Sequence, residues 1–258
     1  EEMENPSLLR FLVDMRGEET SCRQLRDDLM TMLIAGHETT ASALTWALYE
    51  LMQNPTLFEK IRKEVDDVIG DRVPTYEDIQ KLELVRMTIA ESLRMYPEPP
   101  LLIRRCRDET VLEKGGAEQE MKLPRGCDIF ISSYNLHRSP LFWENPDTFD
   151  PERFLRPFKN PDAPYWKGYD PSLWKGRLYP TENSADFAYI PFGGGGRKCV
   201  GDVFAMLEAT VALAMVTRRY DFDFTAPTQS PDLVGTDTGA TIHTRNGLWT
   251  KVSPRQHS

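Results

Sequence analysis

Apolar residues dominate "LRDDLMTMLIAGHETTASALTWALYELM", Leu25 to Met52, and predict one long helix stopped by Asn54-Pro55. Between Pro55 and Ile69 the pattern narrows. Leu57, Ile61, Val65 and Val68 form one stripe, the spacing of an amphipathic helix with a polar outer face. "PTYED" predicts a short third helix, with Thr75 and Asp78 at the distance of a capping box. A fourth helix is predicted over about Leu84–Met95, ending at Tyr96-Pro97. From Pro97 to Ser133 the texture becomes strand-like: "LLIRRC", "ETVLE" and "CDIFISS" are short runs separated by Gly and Pro. Asn145 to Pro191 is rich in Pro, Trp and Tyr and has little periodicity; an ordered loop that long is usually functional. Helical spacing returns after Cys199 and lasts to about Arg218. The final "ATIHTRNGLWTKV" predicts a hairpin around Asn246-Gly247, a common type I′ pair. The fold class is therefore mainly α with a minor β portion.

Composition adds exclusions. A net charge of −9 argues against a nucleic-acid partner. The longest apolar runs, around Leu29–Ala35 and Ala209–Val216, are too short to span a bilayer. No signal or transit segment is recognisable and the first residue is Glu, so a processed N-terminus or a piece of a longer protein is expected. The four cysteines form no CxxC pair, which matches neither a zinc site nor a disulfide framework. Cys22, Cys106 and Cys127 are expected to be buried thiols in a reducing compartment.

Cys199 is different. Four of the chain's 16 glycines stand just ahead of it in "FGGGGRKCVG", Phe192 to Gly201. A phosphate-binding loop fails, because Cys199 and not Ser or Thr follows Lys198, and the GxGxxG spacing is missed. The alternative is a loop that lets a large flat ligand lie against bare backbone, with Cys199 entering at a helix N-terminus. A thiolate there is stabilised by the helix dipole and nearby N–H groups, the conditions thiolate ligation of haem iron requires. Arg197 then stands ready to pair with a haem propionate.

Phe192, Gly195, Arg197, Cys199 and Gly201 fit FxxGxRxCxG throughout, and the loop resembles the haem-binding loop of the cytochromes P450. Other motifs of that family occur in order: "AGHETT", "ESLR", "PPLLIRR" and "DPERF". The resemblance implies haem b with Cys199 as the axial ligand to iron. It also implies cofactor contacts from Ala35, Arg104, Phe192, Gly193, Arg197 and Gly201, with Arg104 on the second propionate. Glu38 and Thr39 would be the acid–alcohol pair that delivers protons to bound dioxygen, and Gly36 in mid-helix suggests something passing close to the backbone. Glu91, Arg94 and Arg153 would form a buried structural network, and Leu101, Leu102 and Ile103 would line the substrate pocket. Residues 1–258 would be a single partial P450 domain, the C-terminal part of the fold, with the family's earlier helices expected before Glu1. Targeting and any membrane association would belong to that preceding half.

Several stretches sharpen the likeness, among them "PSLLRFLVDMRGEE", "DIFISSYNLHRSPLFWENPDTFDPERF" and "RKCVGDVFAMLEATVALAM". They resemble the plastid carotenoid-hydroxylating P450s of plants and algae. "WKGYDPSLWKGRLYPTENSADF" looks like the branch with a lengthened loop before the haem cysteine. This implies a plastid monooxygenase using O2 to hydroxylate a carotenoid ionone ring; the alternatives are a P450 monooxygenase of another lipid substrate and a haem-binding relic without turnover. Finally, Arg153 to Lys198 holds eight basic residues against four acidic ones. That local excess predicts docking of an acidic electron donor such as a ferredoxin; a reductase is the alternative donor.

Overall fold

The computed structural model describes residues 21–113, 120–228 and 230–255. "PSLLRFLVDMRGEE" lies outside the described residues. Helix α1, Cys22–Gln53, starts three residues before the predicted bound, because the Ser21 hydroxyl accepts from the Gln24 N–H. It stops where expected. Asn54 both ends α1 and caps α2, Pro55–Val68, through its side-chain oxygen on the Leu57 N–H. Thr75 and Asp78 close the capping box that opens α3, Tyr76–Lys81. Helix α4, Glu83–Met95, is buried at every position from Val85 to Met95.

That burial places α4 at the centre. One face joins α1, α2 and a late helix, α6, Asp202–Arg219, around Ala47, Leu51, Ile61, Val65, Ile89 and Leu213. The other meets an aromatic cluster of Trp143, Phe154, Trp166, Tyr169, Trp174 and Tyr189. This cluster accounts for the aperiodic stretch. The loop is held by ring packing and by hydroxyl and indole donors: Tyr169 on the Phe154 carbonyl at 2.8 Å, Trp166 on Ala185 at 2.7 Å, and Tyr189 on Ala90 of α4 at 2.7 Å. Such anchors need no regular spacing.

The strands form two-stranded antiparallel sheets. β1, Leu101–Arg105, pairs with β4, Asp128–Ser132; β2, Thr110–Leu112, pairs with β3, Met121–Leu123. A short helix that the pattern did not predict, α5, Ser133–His137, follows β4 directly. β5, Tyr220–Phe224, then leaves α6.

The terminal hairpin is a correction. β6, Thr236–Thr238, pairs with β7, Ile242–Thr244, while β8, Thr250–Pro254, crosses to β5. The two flanks of Asn246-Gly247 therefore do not pair with each other. Gly247 has φ +76, but Asn246 is not among the positive-φ residues, so the type I′ requirement at both centres is unmet. Arg245 and Asn246 instead donate backward to the Gly235 and Val234 carbonyls at 3.1 Å, extending the β6–β7 pairing through the turn. The cysteine expectation also changes: Cys22 is exposed, and Cys106 and Cys127 are half-buried. Both sit in the backbone pairing just past the β1–β4 ladder, where the Cys106 N–H donates to the Cys127 carbonyl.

Candidate active site

The glycine loop folds back on itself. Gly193 and Gly195 take φ +72 and +67, left-handed values that side chains resist, and this lets the Cys199 N–H reach the Phe192 carbonyl at 2.9 Å. At Gly194 a Cβ would stand 3.1 Å from the Phe187 ring. Gly196 faces open space, with nothing within 4 Å of an added Cβ. Cys199 is exposed, a free thiol three residues ahead of α6, and a Cβ on Gly201 would meet its Sγ at 3.9 Å.

The lengthened loop braces this segment. Lys198 reaches Glu182 at 2.9 Å and Asp202 at 3.3 Å, and the Tyr179 hydroxyl donates to Asp202. Burial works to raise the Asp202 carboxyl, but the bonds from Tyr179, the Val203 N–H and Lys198 outweigh it and leave the group below its ordinary range. The Phe192 ring stands edge-on to Tyr179 at 5.0 Å. From the other side, His137 accepts the Ile190 N–H at 2.8 Å, tying the loop's entrance to α5. Its ring is fully buried; desolvation, aided by the Arg94 charge, lowers it to about 3, so it is neutral. Sequence reasoning missed His137.

On α1 the Thr39 hydroxyl donates to the Ala35 carbonyl at 2.8 Å, one turn back, and Glu38 accepts from the Thr241 hydroxyl at 2.7 Å. An added Cβ at Gly36 would meet nothing within 4 Å, so the close passage expected there is not made by the described chain. Met30, Leu33 and Ile34 are exposed along the same half of the helix. Glu38, His37, Ser42, Thr241 and His243 share the lining of a cavity. Beneath it lies a second missed residue, Glu98, whose carboxyl meets Ser42 and the backbone of Ile242.

On β1, Leu101 and Ile103 point outward and Leu102 and Arg104 are half-buried. Neither Arg104 nor Arg105 is buried. Arg105 pairs with Asp128 at 2.7 Å, whereas Arg104 donates only to the Ile103 carbonyl. Arg104 and Arg197 are thus two guanidiniums without a carboxylate partner among the described residues. No hydrogen bond joins Cys199 or Arg197 to Glu38, Thr39 or Arg104 there; the motifs arrive on separate elements.

Glu91, Arg94 and Arg153 are brought together. Arg94 grips both Glu91 oxygens at 2.9 Å, Arg153 meets Oε1 at 2.9 Å, and the Asp150 N–H adds a bond at 3.0 Å. Further guanidinium hydrogens go to the carbonyls of His137, Glu144, Asn145 and Thr148. The expected basic surface, by contrast, thins. Arg153 is buried here, Arg156 pairs with Asp150, Lys167 lies 3.6 Å from Asp186, and Lys198 is paired as above. Lys159, Lys175, Arg177 and Arg197 remain exposed without an acidic partner among the described residues.

The donor set fits a haem: the exposed Cys199 thiol, glycines whose missing side chains leave open space, and the Arg104 and Arg197 guanidiniums, which have no carboxylate partner among the described residues. Residues 2–250 match the Cytochrome P450 family, and the chain belongs to it. Cytochrome P450 97B2, chloroplastic, of Glycine max is 53% identical over 257 residues, covering 99% of this chain and 44% of the relative. Protein LUTEIN DEFICIENT 5, chloroplastic, of Arabidopsis thaliana is 47% identical, covering 97% and 37%. Carotene epsilon-monooxygenase, chloroplastic, of the same plant is 46% identical, covering 97% and 41%. The chain spans about two fifths of the length of these relatives. Among the described residues no helix is long and apolar enough to cross a membrane.

Proposed function

We propose that this chain contributes the thiolate half of a plastid haem monooxygenase that hydroxylates carotenoid rings. The observation that carries the reading is the exposed Cys199 thiol on a loop of left-handed glycines, in a chain 46% identical to a carotene monooxygenase. Cys199 binds the iron of haem b, and Arg104 and Arg197 hold its propionates. Gly193 and Gly201 would let the loop pack against it, and Phe192 and Ala35 would contact it. Bound there, haem supplies dioxygen activation and insertion of one oxygen atom. Glu38 and Thr39 hold and pass the protons, and Leu101, Leu102 and Ile103 orient a lipophilic substrate. The exposed Lys159, Lys175 and Arg177 receive an acidic electron donor such as a ferredoxin. The whole segment acts as one part of a P450 domain.

The test uses the protein at the full length of its relatives, loaded with haem. Reduced under carbon monoxide, it is expected to give the red-shifted Soret band of a thiolate complex, absent in Cys199→Ala. Hydroxylated product from carotenoid and none from fatty acid then supports the substrate. Folded, haem-supplied protein without that band overturns the reading.

A further inference from the structure

Glu98 is 7% exposed, and no ion pair reaches it among the described residues. Its oxygens lie 2.7 Å from Ser42 Oγ and 2.8 Å from the Ile242 nitrogen. Ser42 Oγ is also 2.6 Å from the Ile242 carbonyl, which accepts the Trp46 indole N–H at 2.7 Å as well. The hydrogens do not balance around an ionised Glu98. Ser42 has one hydroxyl hydrogen and faces two oxygens that, as carbonyl and carboxylate, have none to give. A proton on Glu98 closes the circuit. The carboxyl donates to Ser42, Ser42 donates to the Ile242 carbonyl, and the Ile242 N–H returns to the other carboxyl oxygen.

The surroundings agree. From α1 the titratable group facing Glu98 is Glu38, itself bonded to Thr241 next to Ile242. His37 and His243 line the adjoining cavity, which Ser42 and Glu38 share. Burial, with a smaller push from Glu38 and against the bonds from Ser42 and Ile242, raises the Glu98 carboxyl to about 7.

We propose that Glu98 is a resident protonated carboxyl that stores the proton Glu38 passes on. This rests on the monooxygenase reading above. In the step, the O–H bond of Glu98 breaks as Ser42 Oγ takes the proton. The original Ser42 hydroxyl proton turns off the Ile242 carbonyl into the cavity that Ser42 and Glu38 both line, and passes to the Glu38 carboxylate. Glu98 becomes a carboxylate and is reprotonated by the reverse path from solvent. Acting through Ser42 and Glu38, Glu98 is a positioning residue for the proton supply.

The experiment compares wild type, Glu98→Gln and Ser42→Ala in the full-length, haem-loaded protein. Glu98→Gln copies the hydrogen-bonding of the neutral acid but cannot release its proton. Infrared difference spectra are expected to show a protonated-carboxyl band in wild type that shifts in D2O and is missing in Glu98→Gln. Product formed per electron consumed is expected to drop about tenfold in both variants, a modest share of what general acid–base groups contribute. The reduced carbon monoxide band should persist. No such infrared band, together with a Glu98→Gln protein that melts well below wild type at pH 6, overturns the held proton. The band without any loss of coupling overturns the supply role. An absent thiolate band in wild type overturns the monooxygenase reading, and the supply role with it, while the infrared result still decides the held proton.

Discussion

Removing the Glu91 carboxylate tests the physics of the site's scaffold most directly. Glu91 and Arg94 are fully buried and the Arg153 side chain is 8% exposed, so two guanidiniums share one carboxylate in a water-poor interior. Breaking one buried ion pair by deleting a partner costs about 3–5 kcal/mol, because the surviving charge is stranded. Glu91→Ala strands two. The carbonyls of His137, Thr148, Glu144 and Asn145 still accept from both arginines and offset part of the penalty. A loss of about 5 kcal/mol is expected, comparable with the roughly 5–15 kcal/mol that holds a whole domain together. Glu91→Gln keeps the shape but turns an NH2 toward guanidinium donors, so it should lose about 3 kcal/mol or more. Replacing all three residues with apolar ones of similar volume should cost less than Glu91→Ala alone, since no charge is left behind. Urea unfolding of the full-length protein, followed by far-UV circular dichroism and haem release, reads all of these. A Glu91→Gln midpoint within about 1 kcal/mol of wild type refutes the stranded-charge account.

Stability should be arched in pH. Glu98, raised from 4.5 to about 7, binds a proton in the folded state that the unfolded chain has lost, so stability falls as pH rises through 4.5 to 7. At about 1.4 kcal/mol per pH unit that arm is about 3 kcal/mol, and Glu98→Gln should flatten it. His137, lowered from 6.5 to about 3, is neutral where the unfolded chain is charged, so stability falls as pH drops from 6.5 toward 3. His137→Gln, whose amide oxygen can still accept the Ile190 N–H, should flatten that acid arm in melts across pH. Gly193→Ala forces a side chain to φ +72 and should cost about 1–2 kcal/mol, seen as a lower melting temperature. Gly196→Ala should leave the apoprotein's melting temperature unchanged but speed haem loss to an acceptor protein, because only open space adjoins it. Tyr179→Phe removes the bond to Asp202 and should cost about 1 kcal/mol, read by urea unfolding.

What was legible in the sequence, and what was not, divides by where each residue's partner lies. Caps act within a few residues, so Asn54-Pro55 and the Thr75–Asp78 box announced α2 and α3 within one residue of their bounds. Glu91 and Arg94 also sit three residues apart, but that spacing is common on exposed helices; only the likeness to a family tied Arg153 to them. Asn246-Gly247 carries a strong local turn signal, yet the turn cannot choose which strands it joins. The bonds from Arg245 and Asn246 to Gly235 and Val234 had already committed that choice. Glu98 is the extreme case. Between Pro97 and Pro99 it has no periodic neighbours, and its burial is created by a backbone N–H 144 residues away and a serine one turn beyond Glu38. His137 likewise owes its role to the Ile190 amide, 53 residues on. Side chains whose partners are distant backbone groups leave no pattern of residue types, because any residue at the far position supplies the same N–H or C=O. Around Ser42 the two oxygens that face its single hydroxyl hydrogen come from Glu98 and Ile242, 56 and 200 residues away, and meet only in the folded chain.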